Sequence, residues 1–111
     1  RKARPVLLAM VEHRAWVRAL YRYLNDQKAH PPLVDSHHCK LGRWLDATAE
    51  AGETDHPAYA DIVPLHDGFH RTAAELIELK QRGGGALALA RFGEIETLRE
   101  NLLEALGRLI V

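Results

Sequence analysis

The sequence contains a single cysteine, so no intramolecular disulfide can form and a disulfide-built scaffold is excluded. An isolated cysteine is typical of a reducing compartment. The chain also has no excess of either charge, because 15 Lys and Arg residues balance 15 Asp and Glu residues. This balance provides no overall field that would attract nucleic acid or an anionic membrane.

Long apolar runs and targeting segments are missing as well. No run reaches the roughly 18 apolar residues that a membrane-spanning helix needs, and the N-terminal segment lacks the apolar stretch of a secretory signal. The first residue is not Met, so we expect the chain to be a piece of a longer protein. With 111 residues, of which 47% are hydrophobic and 27% charged, residues 1–111 are predicted to form one globular domain.

Enzyme motifs are not found in the sequence. There is no nucleophile elbow, no phosphate-binding glycine loop and no paired acid and base. The run Gly83-Gly84-Gly85 lacks the Lys and Ser/Thr of a phosphate loop, and we interpret it as a flexible connector. We therefore expect a module that is not an enzyme.

Apolar residues recur in steps of three and four along the whole chain, which predicts an all-α fold. Pro31 and Pro32 separate the first two helices, and the three glycines separate the last two. Short connections favour antiparallel neighbours, so we predict an antiparallel four-helix bundle in which the second helix is short. The predicted helices are Pro5 to Asp26, Lys40 to Glu50, Pro57 to Gln81 and Ala86 to Ile110.

Three local expectations accompany this assignment. Ser36 is a plausible N-cap for the second helix, which would place Cys39 in the first turn, where the helix dipole favours a thiolate. Pro64 should kink the third helix or shift its start. The last helix is apolar on more than one side, which indicates either a partner surface or a wide core stripe; the residues concerned are Leu102, Leu103, Leu106 and Leu109.

Three histidines occupy positions where the helices otherwise place core residues. His13 follows Val6 and Met10 on the stripe of the first helix, and His66 and His70 lie on the stripe of the third. Burying an imidazole is costly unless its polar nitrogens find partners. Hydrogen bonds to backbone carbonyls would satisfy each histidine singly, whereas one metal ion would satisfy all three together.

A metal site would also explain the single cysteine. His66 and His70 are four residues apart on one helix face and can chelate one ion, and His13 and Cys39 would complete the four ligands of tetrahedral Zn²⁺. Trp16 and Trp44 are expected to be core residues beside these ligands. The remaining histidines fall in predicted loops and are expected to face solvent; they are His30, His37, His38 and His56. Carboxylates that could orient the imidazoles are Glu12, Asp35 and Asp67, among which the sequence does not distinguish.

Two other interpretations are compatible with a helical bundle. A hemerythrin-like di-iron centre that binds oxygen would need more histidines and bridging carboxylates on the inner stripes. A metal-free dimerisation bundle would carry the three histidines as ordinary core residues.

The chain resembles the bacterial chemoreceptor zinc-binding (CZB) domain along nearly its whole length. The similarity is carried by the strings H-R-A-W-V, D-S-H-H-C-K-L-G-R-W-L and P-A-Y-A-D-I-V-P-L-H-D-G-F-H-R-T-A-A-E-L, and by the amphipathic last helix. The resemblance implies a four-helix bundle that holds one Zn²⁺ through three His and one Cys. The positions that match this ligand set are His13, Cys39, His66 and His70.

The resemblance also implies a role in signalling. Domains of this kind are cytoplasmic sensory modules of chemoreceptors and diguanylate cyclases, and some pair as homodimers. Family members are implicated in sensing zinc, or oxidants such as hypochlorous acid, through the zinc-bound cysteine. We therefore expect a zinc- or oxidant-responsive switch that acts on such an output domain, with no nucleic-acid partner and no membrane insertion by this segment.

Overall fold

The regular structure of the chain is helical throughout the part that is described. A computed structural model describes residues 3–32 and 39–109, which form α1 (Ala3–Leu24), α2 (Lys40–Glu50), α3 (Pro57–Gln81), α4 (Gly85–Ala90) and α5 (Phe92–Leu109). The all-helical prediction is confirmed, and α2 and α3 have the predicted bounds. In these ranges, no helix combines the length and apolarity needed to cross a bilayer.

The first helix ends two residues before the predicted boundary because the backbone leaves the helical conformation at Asp26. Asp26 has a positive φ of 61°, and the Gln27 amide donates to the Arg22 carbonyl at 2.8 Å while the Asp26 amide donates to Tyr23 at 3.2 Å. These two bonds form a Schellman motif, which satisfies the last carbonyls of the helix. Lys80, from the end of α3, forms an ion pair with Asp26 and joins the two helix ends.

The third helix shows how the sequence sets its two ends. His56, which we expected to face solvent, is half-buried and caps α3, since its Nδ1 accepts a hydrogen bond from the Ala58 amide at 3.0 Å. Pro64 lies inside the helix and does not shift its start from Pro57. At the other end, Gly83 adopts a φ of 90°, a conformation that favours glycine.

The last predicted helix is divided into two. The backbone of Arg91 (φ −91°, ψ 0°) leaves the helical conformation between α4 and α5. Its guanidinium donates to Glu75 of α3 and to Glu94 of α5, each at 3.0 Å. Gly85 is already the first residue of α4, so the glycine run is only in part a connector.

The core consists of two apolar clusters, one towards each end of the long helices. His13 lies along α1 between Ala9 of one cluster and Val17 of the other, and His66 lies along α3 between Ile62 and Phe69. Three leucines of the last helix that we considered for a partner surface, Leu102, Leu106 and Leu109, are buried, and Leu103 packs on the same cluster. The wide core stripe is therefore the correct interpretation, and the histidines lie at the junction of the two clusters.

Candidate metal centre

Three imidazoles are buried where α1 faces α3. His13, His66 and His70 are 4%, 1% and 3% exposed, and apart from Tyr23 no other described side chain with a polar group is buried. The stripe positions explain this placement, because each histidine continues the apolar spacing of its helix. The structure thus brings the three predicted histidines together from two helices.

Cys39 reaches the same place from the start of α2, but not as predicted. It is itself the N-cap of α2, with extended backbone (φ −82°, ψ 160°), and its Sγ accepts a hydrogen bond from the Gly42 amide at 3.2 Å. The expectation that Ser36 caps this helix is therefore wrong, although Ser36 itself lies outside the described residues, as do Asp35, His37 and His38. From the N-cap position, the sulfur contacts both the first turn of α2 and His66 of α3.

The donor atoms lie close enough together to share one ion. Cys39 Sγ lies 3.2 Å from His66 Nε2, and His70 Nε2 lies 3.1 Å from the same nitrogen. Two donors on one tetrahedral zinc would lie about 3.3–3.6 Å apart, from the usual Zn–N and Zn–S bond lengths. One donor atom from each of the four residues fits within 4.8 Å of every other.

A hydrogen-bond network explains this arrangement poorly. The Nε2 atom of His66 carries either one proton or one lone pair, yet both Cys39 and His70 approach it. For His13, neither ring nitrogen has a hydrogen-bond partner among the described residues, although both are buried. An unpaired buried nitrogen costs free energy that a bound cation would recover.

The environment keeps the His13 ring neutral. Burial, together with the nearby His70 ring, lowers the pKa of His13 to about 4. The imidazole is therefore unprotonated at neutral pH, which is the form that binds metals. The His13 ring centroid lies 5.2 Å from that of His66 and 5.7 Å from that of His70.

The thiol of Cys39 is affected in the opposite direction. Burial raises its pKa above the ordinary value, and the Gly42 amide opposes this only in part. In the metal-free protein, Cys39 thus retains its proton at neutral pH. A cation at the site would favour the thiolate and displace that proton.

Aromatic rings and two small cavities surround the donors. The ring centroid of Trp16 lies 5.2 Å from that of His70. Trp44 packs on the apolar cluster that contains Leu41 and Ile62, and both tryptophans are partly buried in the core, as expected. A cavity of about 260 Å³ borders Cys39 and is also lined by Glu12. A second cavity of about 200 Å³ borders His66.

Carboxylates line both cavities and could orient the imidazoles. Of the three carboxylates considered from the sequence, Glu12 borders the first cavity and Asp67 the second. Asp46 of α2 also lines the second cavity and was missed. Its position seven residues after Cys39, two helical turns along one face, was the available signal.

His30 is exposed, as predicted.

The comparisons with known proteins agree with this geometry. The family model of the chemoreceptor zinc-binding domain matches residues 13–77 of the chain, which is more than half its length and includes all four donor residues. Neither the curated proteins nor the solved structures contain a match to the chain.

Proposed function

The chain belongs to the chemoreceptor zinc-binding domain family, and we propose that it is a cytoplasmic sensory module whose cysteine is a zinc- or oxidant-responsive switch. Zinc is the metal of this family, and the chain carries a three-histidine, one-cysteine cluster that can hold it. The proposed ligands are His13, Cys39, His66 and His70. The observation that carries the proposal is the convergence of these four donors, with both nitrogens of His13 buried and lacking a hydrogen-bond partner in the described chain.

The donor set favours zinc over the di-iron alternative. Three imidazoles and one thiolate match a closed tetrahedral zinc site. A di-iron centre of a helical bundle is instead built with bridging carboxylates. A site closed by a thiolate also leaves no position for a reacting water, so we propose a regulatory rather than a catalytic zinc and a protein that is not an enzyme.

We place the switch at Cys39 because its support differs from that of the histidines. The histidines lie in the middle of the long helices α1 and α3, whereas Cys39 precedes the eleven-residue helix α2. A two-electron oxidant such as hypochlorous acid would transfer its oxygen to the thiolate, oxidising sulfur to the sulfenic acid and releasing chloride. Loss of the thiolate ligand would weaken metal binding and release the start of α2.

Zinc occupancy is the second way in which the same site could signal. Binding stabilises only the state in which α2 lies against the histidines, so the population of that state follows the zinc concentration. Both versions act through the same element, because Cys39 is the ligand that α2 contributes. In both, Cys39→Ala separates the metal signal from the fold.

The finer points of architecture and partnership belong to the same proposal. We propose that the helices form an antiparallel four-helix bundle, that the chain is one domain over residues 1–111, and that it pairs as a homodimer. The output is a chemoreceptor or diguanylate cyclase domain of the same protein, and we expect neither a nucleic-acid partner nor membrane insertion by this segment. An exposed apolar patch on α1, made of Leu7, Leu8 and Val11, supports pairing.

Elemental analysis of protein purified without chelator or added metal tests the proposal, with wild type beside Cys39→Ala. We expect about one zinc per wild-type chain and weaker retention in the variant. Circular dichroism should show equal helix content in the two proteins with zinc present. Two irons per chain, or no metal, would exclude the zinc site, and an unfolded variant would exclude a platform built on the histidines.

A further inference from the structure

An open cleft lies between α1 and α5, on a part of the surface that the metal centre does not use. Its volume is about 630 Å³, which is within the range of about 300–1,000 Å³ that is usual for small-molecule sites. Residues spaced three and four apart on α1 form one wall, and a similar row on α5 forms the other. The cleft is therefore a groove between two helix faces, with apolar residues at its base.

The cleft has an excess of positive charge, whereas the chain as a whole is neutral. Arg14 and Arg18 of α1 and Arg99 of α5 line it, with Glu96 as the acidic residue. Within residues 3–32 and 39–109, none of these three guanidiniums forms an ion pair.

Two other arginines, outside this cleft, are neutralised within the fold. Arg91 pairs with Glu75 and Glu94, and Arg108 pairs with Asp61 and Glu104. A chain with no net charge thus leaves three positive groups together at one cleft.

The cleft also presents aromatic surface. Tyr21 is 44% exposed, and its ring packs edge-on against Phe92 at a centroid distance of 5.1 Å. Both rings line the same cleft as the arginines. An exposed, laterally supported tyrosine ring is a surface on which a planar aromatic group can stack.

We propose that this cleft binds an organic phosphate of the nucleotide class, with the phosphates held by Arg14, Arg18 and Arg99 and the aromatic ring placed against Tyr21. Guanidinium groups bind phosphate through paired, charge-assisted hydrogen bonds, and three of them match a diphosphate. The combination of cationic and aromatic surface in a cleft of this volume favours a small ligand over an acidic protein segment. The proposal is independent of zinc binding, because none of these residues belongs to the metal cluster.

Calorimetric titration of the zinc-loaded chain in low-salt buffer tests this inference with three probes: ADP, inorganic pyrophosphate and adenosine. ADP should bind at least about tenfold more tightly than pyrophosphate, because ring stacking adds to the phosphate contacts. Adenosine should bind far more weakly than either.

Single substitutions separate the contributions of α1 and α5 to ADP binding. Arg18→Gln and Arg99→Gln should each weaken ADP binding by at least about tenfold. Arg22→Gln is the matched control, since Arg22 is an exposed arginine on the same helix that does not line the cleft, and it should change affinity less than about twofold. Tyr21→Leu should remove the preference for ADP over pyrophosphate and leave pyrophosphate binding intact.

Three results would overturn the inference: no ADP binding at millimolar concentration, equal loss in the Arg22 and Arg18 variants, or equal affinity for ADP and pyrophosphate in the wild type. Binding of a glutamate-rich peptide without binding of ADP would also overturn it and would assign the cleft to an acidic protein partner.

Discussion

His13 is the residue whose environment depends most on a metal. Its ring is 4% exposed, it packs 4.9 Å from the Phe69 ring, and the described chain supplies no hydrogen-bond partner to either nitrogen. An apolar residue would be more stable at this position in a metal-free core, because removing an unsatisfied buried polar group recovers its desolvation cost. This environment favours a metal ligand over a residue kept for packing alone.

Replacing His13 by leucine should separate stability from zinc binding. In chelator-treated protein, His13→Leu should raise the free energy of unfolding by about 1–3 kcal/mol, as measured by urea denaturation. Zinc affinity, measured by competition with a chromophoric chelator, should fall at least about 100-fold, because a direct ligand matters more than the residues that support it. Met10→Leu, on the same stripe of α1, should leave zinc affinity unchanged. A metal-free His13→Leu protein less stable than wild type would contradict this account.

Cys39 should determine how zinc binding depends on pH. Its raised pKa keeps the thiol protonated in the metal-free protein at neutral pH, whereas the lowered pKa of His13, about 4, leaves that ring already deprotonated. Zinc binding must displace the thiol proton, so affinity should rise with pH until the thiol ionises by itself. His13 should oppose binding only when the pH approaches about 4.

Calorimetry in buffers of different ionisation enthalpy measures this displaced proton. At pH 7, wild type should release about one proton more per zinc than Cys39→Ala, because only the wild type carries the thiol. The same difference should disappear when the pH is raised above the pKa of the thiol. Equal proton release from the two proteins at pH 7 would show that Cys39 is not a ligand.

Among the described helices, α2 packs least extensively against the others. Leu41 and Leu45 bury its apolar side in the cluster that contains Ala9 and Ile62. The Tyr59 hydroxyl of α3 donates to the Leu45 carbonyl at 2.9 Å. Cys39 is the N-cap of α2, so movement of α2 is transmitted directly to the thiol. The hydrogen bond from Tyr59 is therefore placed to set how readily the thiol leaves the cluster.

Tyr59→Phe should loosen this attachment without changing a proposed ligand. Loss of one hydrogen bond should cost about 1 kcal/mol in stability, and the rate of zinc release to excess chelator should rise severalfold while the stoichiometry remains that of wild type. Tyr21→Phe, which alters an exposed ring on α1, is the control and should leave the rate unchanged. An unaltered release rate in the Tyr59 variant would remove this hydrogen bond from the switch.

Elements with a strong period were predictable from the sequence, whereas breaks made by tertiary contacts were not. The bounds of α3 follow from Pro57, the glycines at its end and a continuous apolar stripe. Arg91 divides the last helix in a stretch that is helical in pattern on both sides, and its partner Glu75 lies on another helix. The N-cap role of Cys39 was not predicted, because cysteine is not a usual N-cap and its sulfur was assigned only to the metal.

On the scale of the whole molecule, the position of the four donor residues is as important as their chemistry. The described chain measures 43 × 21 × 20 Å, and the histidines lie in the middle of α1 and α3, between the two apolar clusters. A metal at this point would join both halves of the bundle and the start of α2. The sequence predicted that His13, His66 and His70 lie close together, because helical periodicity places them on inner faces. The arginine-lined cleft depends on how α1 and α5 pack and could not be predicted from one helix.

The apolar patch on α1 leads to a prediction about assembly. Leu7, Leu8 and Val11 are 50%, 55% and 61% exposed and share one side of the helix. A contiguous exposed patch of this kind is a typical association surface. Because the three proposed histidine ligands are buried, Cys39 is half-buried and the patch is exposed, metal binding and pairing should be separable by substitution.

Val11→Glu should convert a homodimer into a monomer in sedimentation equilibrium, because it places a charge within the apolar patch. Zinc content should remain about one per chain, since Val11 is not part of the metal cluster. Leu87→Glu is the matched control: Leu87 is 55% exposed, like the patch residues, but lies on α4, so this variant should remain dimeric. A wild-type chain that is monomeric at all concentrations would exclude the dimer, and dissociation of both variants would show that pairing does not depend on this side of α1.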